Sequence, residues 1–263
     1  MNAPSELRVI PVAGLPEFAE GISIGAEIAA HAELRDVDVV VVSQKIVSKA
    51  EGRVRRLSSV IPGAEARRLA AMLGKEPALV ELILAESREV LRAERGVLIV
   101  ETHHGFVCAN AGIDTSNLPE PDTVSLLPED PDASARRIRA EIQATAEHDF
   151  GARAGTTAGA APAVIVSDSF GRAWRLGQSE VAIGCAGIAP LDDWRGRADT
   201  SGRELEATQI AVADEAAAAA DLVRDKTSRT PASIVRGLGH YVTADDGPGA
   251  GGLRRPRHED LFR

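Results

Sequence analysis

Three polar clusters carry the residue types of phosphate and metal-ion chemistry. The first, VVVVSQKIVSKAEGR at 39–53, runs from an apolar strand into Ser43, Gln44, Lys45, Ser48 and Lys49. Lysine is a compact charge for phosphate oxygens, and Gln and Ser add fixed hydrogen bonds. The same pattern suits an ordinary strand-to-helix junction with solvated lysines. The second, VCANAGIDTSN at 107–117, ends in Asp114, Thr115, Ser116 and Asn117, a grouping that a plain turn also favours. The third, AVIVSDSFGRAWRLGQ at 163–178, sets Asp168 between Ser167 and Ser169, with Arg172 and Arg175 following. A hard cation such as Mg²⁺ takes one or two carboxylates and completes its shell with hydroxyl, water and phosphate oxygens. Asp114 and Asp168, each just beyond an apolar strand, meet that need together with a serine hydroxyl. The forked guanidinium of Arg172 or Arg175 suits a carboxylate or phosphate, and Arg175 equally suits pairing with nearby acids.

Such strand ends need a sheet to hold them. Short β-branched runs at 7–12 and 37–42, apolar runs at 163–166, 181–188 and 232–235, and a hairpin pattern at 97–101 with 105–109 predict the strands. Helical spacing covers 22–34, 64–73, 78–85 and 133–148. The clearest helix is predicted over 202–223, with Ser201 and Glu204 as a capping box and an alanine-rich face for close packing. The mixture reads as α/β or α+β, without the regular repeat of a barrel. The small-residue stretch 151–162 reads as a flexible connection, and the Gly-, Pro- and charge-rich stretch 243–263 as a tail, leaving 1–242 as the catalytic unit.

Composition narrows the classes. The chain has 263 residues, 44% of them hydrophobic, and a formal net charge of −9, which argues against wrapping a nucleic acid. No apolar run is long enough to span a membrane and no signal peptide is visible, so a cytoplasmic protein is expected. Cys108 and Cys185 cannot form a disulfide framework. A Walker-type phosphate loop is absent, and GPGAGG near the C-terminus lacks the βαβ context of a dinucleotide fingerprint. His103, His104 and Cys108 lack the second pair of ligands a zinc site needs. No G-x-S-x-G elbow appears, and Trp174 and Trp194 read as packing anchors.

The segments PVAGLPEF (11–18), VVVVSQKIVSKAEGR (39–53), CANAGIDTSN (108–117), LLPEDPDASARRIR (126–139), SDSFGRAWRLGQ (167–178) and DTSGRELEATQIAVADEAAAAADLV (199–223) closely resemble the coenzyme F420-0:L-glutamate ligase (γ-glutamyl ligase) family, in collinear order. The resemblance implies an enzyme that adds L-glutamate to coenzyme F420-0 with GTP as co-substrate, releasing GDP and phosphate through an acyl phosphate. It implies Mg²⁺ or Mn²⁺, implicates K⁺, and gives an α+β fold of intertwined mixed sheets with helices, assembled as a homodimer, for whose interface the alanine-rich helix expected over 202–223 offers a close-packing face. Carried over by position, Leu15, Pro16, Glu17, Phe18, Gln44, Lys45, Lys49 and Asn117 hold GTP, and Asp114, Asp168 and Ser169 hold metal. Lys49, Asp114, Asp168 and Arg172 are then the expected catalytic set. A non-catalytic nucleotide- or deazaflavin-binding relative, or a ligase for another acyl acceptor, stays open. Within 224–231, Lys226 stands near where some relatives carry a further metal-binding carboxylate, with Asp225 as a substitute, so a second metal site is in question. Some relatives continue into a reductase-like domain about where this sequence stops, and that step is expected from another protein.

Overall fold

The computed structural model describes residues 6–118, 120–150, 161–224 and 229–261. It opens with strand β1 (Arg8–Pro11), helix α1 (Ile24–His31), strand β2 (Val39–Ser43) and helix α2 (Gln44–Ala50). Strand β3 (Val54–Arg56) leads to helices α3 (Ala64–Leu73) and α4 (Pro77–Ala85). Strands β4 (Ser87–Glu94), β5 (Val97–Thr102), β6 (Val107–Ala109) and β7 (Thr123–Ser125) follow. Helix α5 (Pro131–Phe150) precedes the long pair β8 (Ala163–Arg172) and β9 (Arg175–Ala186). Short strands β10 (Asp192–Asp193) and β11 (Gln209–Ile210), helix α6 (Val212–Asp221) and strand β12 (Ala232–Arg236) complete the regular elements.

The central sheet has the order β1-β12-β2-β8-β9. Only β2 and β8 run parallel, with Ser43 opposite Ser167. The four valines of β2 are fully buried on both faces, as a continuous apolar run in mid-sheet requires. Val40, Val42, Val164 and Val166 pack with Ile24, Ile28, Ile138 and Ile142 of α1 and α5. On the other face Val39, Val41 and Ile165 meet Ala213, Ala216 and Ala217 of α6. A smaller sheet, β4-β5-β6, closes a separate core with α3 and α4 through Leu69, Ile83, Leu98 and Val100. Helices and mixed sheets thus form an α+β architecture. Glycine sets two close approaches: a Cβ at Gly184 would lie 2.2 Å from the Pro131 carbonyl, and one at Gly25 2.4 Å from that of Ile138.

Four expectations need correction. The strand expected at 163–166 continues to Arg172, so Ser167, Asp168 and Ser169 lie inside it and not beyond its end. Antiparallel pairing with β9 sustains the strand through its polar half. The helix expected over 202–223 is confined to Val212–Asp221. Upstream of it, Asp199 Oδ1 accepts the N–H groups of Ser201 (2.8 Å) and Arg203 (2.9 Å), and Gly202 takes a left-handed φ of 82°. That local turn displaces the Ser201/Glu204 capping box. The alanine face of α6 is spent on the chain's own sheet, so it is not the dimer surface it was expected to be. Residues 243–250 of the expected tail are held to the body of the chain: Arg139 donates to the carbonyls of Thr243 (2.8 Å) and Asp245 (2.9 Å), and Ala250 is buried. Most of the connection expected over 151–162 lies outside the described residues. Strands β3, β4 and β7 were not expected. β4, SREVLRAE, is charged on its exposed positions and shows no apolar run.

Candidate active site

The parallel pair β2/β8 creates the site. At Ser43 the chain leaves β2 for α2, and the Ser43 side chain accepts the Lys45 N–H at 3.4 Å as a helix cap. Lys45 Nζ reaches Asp114 Oδ2 at 2.7 Å and the Ser116 hydroxyl at 2.8 Å. Asp114 is anchored by a bridge to Ser125 and accepts the Ser116 N–H at 2.7 Å. Burial pushes the Asp114 carboxyl up, but the Lys45 and Ser116 hydrogen bonds outweigh it and leave the group below its ordinary value. Asp168, one residue past the Ser43–Ser167 register pair, behaves oppositely. Burial, then the neighbouring charges of Glu180 and Asp114, raise its carboxyl to about 7, against the Ser169 N–H and Lys45. Two acids and a lysine from three separate chain segments therefore share one electrostatic neighbourhood.

Strand alternation divides the third cluster between two faces. Asp168 and Phe170 lie on the α1/α5 side, where Phe170 packs into that core. Ser167 and Ser169 lie on the α6 side. Ser169 stands opposite Glu180 and donates its hydroxyl to Glu180 Oε1 at 2.6 Å. Asp114 thus lies within electrostatic reach of Asp168, while Ser169 is directed to Glu180. Arg172 sits toward the tip of the β8–β9 hairpin, where its guanidinium donates to the Leu176 carbonyl at 2.7 Å.

Beside these acids lies a cleft of about 840 Å³. Leu15, Pro16, Glu17, Phe18, Lys45, Lys49 and Asn117 line it, together with Glu180, Arg224 and Arg229, which sequence reading missed. Lys49, one helical turn beyond Lys45, donates to Glu17 and, at 3.0 Å, to the Asn117 carbonyl. Gln44 does not line the cleft. It is buried beneath it, bonded to Ser48, whose hydroxyl also meets the Leu126 carbonyl at 2.6 Å. Asn117 and Arg229 hold left-handed φ values of 55° and 54°, a conformation asparagine adopts readily. Four cations and the three acids Glu17, Glu180 and Asp221 line the cleft, and Lys45, Lys49 and Arg224 are paired with Asp114, Glu17 and Glu180. Glu180 was legible only through the hairpin register, and Arg224 only through its fold-dependent return to β8. Asp225 and Lys226 lie outside the described residues.

The donor set also suits a hard cation. Asp114 and Asp168 offer carboxylate oxygens, and the Asp168 carboxyl, raised first by burial and then by Glu180 and Asp114, would be eased by a cation. Among the described residues no three His, Cys, Asp or Glu side chains converge as a complete centre. A cation there would draw its remaining ligands from hydroxyl, water and phosphate oxygens, the usual habit of Mg²⁺. His103 and His104 are instead bonded to the carbonyls of Ala85 and Pro128, each at 2.9 Å. Burial, then Asp168, pushes the Cys108 thiol up to about 12, so it stays protonated.

The family profile described as F420-0:Gamma-glutamyl ligase matches residues 14–237. The chain is 41% identical over 263 residues to coenzyme F420:L-glutamate ligase of Methanothermobacter thermautotrophicus, covering 98% of this chain and 99% of that one. The protein of the same name from Methanocaldococcus jannaschii is 40% identical, with 98% of each chain covered. That from Haloarcula marismortui is 45% identical over 237 residues, covering 88% of this chain and 87% of its own. All six resembling segments lie in the aligned span or at its border, and the chain belongs to the F420-0:gamma-glutamyl ligase family.

Proposed function

We propose that this chain is a GTP-dependent ligase that joins L-glutamate to coenzyme F420-0, with Mg²⁺ or Mn²⁺ held by Asp114 and Asp168. The relatives' shared name supports the substrates. The carrying observation is the cleft lined by Lys45 and Lys49, with Asp114 bonded to Lys45 and Asp168 within electrostatic reach of both groups of that pair. A carboxylate resists attack by an amine because it is anionic and lacks a good leaving group. Its oxygen attacks the γ-phosphorus of GTP, GDP departs, and an acyl phosphate forms. The glutamate amine nitrogen then attacks the acyl carbon, loses its proton, and phosphate leaves.

The chain's own groups fit these demands. Lys45 and Lys49 balance charge on phosphate oxygens, and the wall at Leu15–Phe18 with Asn117 holds the rest of the nucleotide. Asp114 keeps Lys45 Nζ in place. A bound cation would neutralise the transferring phosphoryl group. Ser169 joins that set on release from Glu180, while K⁺ and a catalytic part for Arg172 enter through the resemblance alone. A homodimer in the cytoplasm completes the proposal. Mass spectrometry of a reaction with F420-0, GTP, Mg²⁺ and L-glutamate is the test. The expected result is F420-0 heavier by glutamyl units, one GDP per unit, and no product when any component is withheld. GTP turnover without a mass change on F420-0 would refute the acceptor, and no turnover at all would favour a binding protein.

A further inference from the structure

Arg224 follows the last turn of α6 and lines the same cleft as Lys45 and Lys49. Its side chain is 6% exposed. One nitrogen, Nη2, donates to Ser167 Oγ at 3.2 Å and to Glu180 Oε2 at 3.3 Å. Nε and Nη1 are buried and have no hydrogen-bond partner among the described residues. The one N–H on Nε and the two on Nη1 therefore lack acceptors. Buried donors are rarely left in that state, and a charged one is costly. Both Glu180 oxygens are engaged, Oε2 by Nη2 and Oε1 by the Ser169 hydroxyl at 2.6 Å, and neither reaches Nε or Nη1.

Two ordinary duties of such an arginine are balancing Glu180 and closing the C-terminal end of α6. Neither needs donors held without acceptors at the wall of the cleft. We propose that Arg224 is a receptor for a substrate oxyanion, on the opposite face of the β8–β9 hairpin from Asp168. The ligand chemistry is an anionic oxygen, supplied by a phosphoryl group of the nucleoside triphosphate or by the carboxylate of the amino acid. The identity of those two substrates rests on the ligase reading above, whereas the oxyanion site rests on Arg224 itself.

Calorimetric titration with inorganic tripolyphosphate and with GTP, each with Mg²⁺, and the KM for L-glutamate test this. Arg224→Lys keeps a cation on Glu180 but loses the fork. The double variant Arg224→Met/Glu180→Gln removes both buried charges together, and melting curves report whether each variant folds. The expected result is a loss of about 10- to 100-fold for one source with the melting temperature retained. Loss for tripolyphosphate and GTP assigns the phosphoryl oxygen, and a raised glutamate KM alone assigns the carboxylate. Tripolyphosphate carries no base and undergoes no ligation. A parent protein that binds it but neither binds GTP nor turns over refutes the ligase reading, while the Arg224 comparison still stands on that probe. If the double variant melts early, Arg224→Lys carries the test. Parent-like values in the folded variants for all three, or no binding of any probe by the parent protein, would overturn the proposal.

Discussion

Burial, and after it the charges of Glu180 and Asp114, raise the Asp168 carboxyl to about 7. Asp114, one lysine away, is held below its ordinary value. Two carboxylates with opposite shifts in one neighbourhood suit a site where one holds a lysine and both receive a cation. Asp114→Asn and Asp168→Asn are each expected to lower ligation at least ~10²-fold, and the double variant to be little worse than either. Steady-state rates check this, and additive losses would contradict a shared ion. Lys49→Ala is expected to weaken GTP at least ~10-fold in calorimetry while leaving the melting curve nearly unchanged, since among the described residues its ammonium meets the exposed Glu17 and one carbonyl. Unchanged GTP affinity would remove Lys49 from the site. His104 offers a pH signature away from the cleft. Burial lowers its pKa from 6.5, against its hydrogen bond to the Pro128 carbonyl. As pH falls through that value the unfolded chain gains a proton that the folded one resists, so stability should fall. His104→Phe should flatten that limb of the melting temperature against pH. At this scale Lys45, Lys49, Asp114 and Asp168 were legible from residue type, because each follows an apolar run. Glu180 and Arg224 were not, because only register and the return of α6 toward β8 bring them in.

Secondary structure was legible where one period dominates. Helix α3 spans the residues its spacing predicted, and β5 pairs with β6 as the apolar alternation required. The reading failed where pairing or side-chain turns override local pattern. β8 runs on through SDSFGR because β9 supplies its hydrogen bonds, and α6 starts late because Asp199 organises the preceding turn. The role of the glycine-rich C-terminal segment was hidden for the same reason. Asp132 at the start of α5 accepts the N–H of Cys185 at 2.9 Å and of Ala250 at 2.7 Å, tying helix, sheet and segment together. Asp132→Ala leaves two donors unmet and is expected to cost about 2–4 kcal/mol, whereas Asp132→Asn retains an acceptor and should cost less. Chemical denaturation separates the two. Equal stability of Asp132→Ala and the parent chain would show that the segment contributes nothing.

At the scale of the whole molecule, a net charge of −9 repels anions in general, so the lysines and arginines of the cleft are where an anionic substrate is met. Among the described residues no helix is long and apolar enough to cross a membrane. Trp174 and Leu176 stand 81% and 97% exposed at the hairpin tip, an apolar pair suited to a second copy of the chain. Sedimentation is expected to give a dimer at micromolar concentration, and a stable monomer would contradict it. The central claim is that the Lys45/Lys49–Asp114/Asp168 cleft activates an acceptor carboxylate with GTP. F420-0 labelled with ¹⁸O in its terminal carboxylate tests it most directly, since phosphorylation of that carboxylate carries one labelled oxygen into the phosphate released. The account predicts one ¹⁸O per phosphate from the parent enzyme, and that signal falling with ligation in Asp168→Asn. Unlabelled phosphate accompanying full ligation would contradict it.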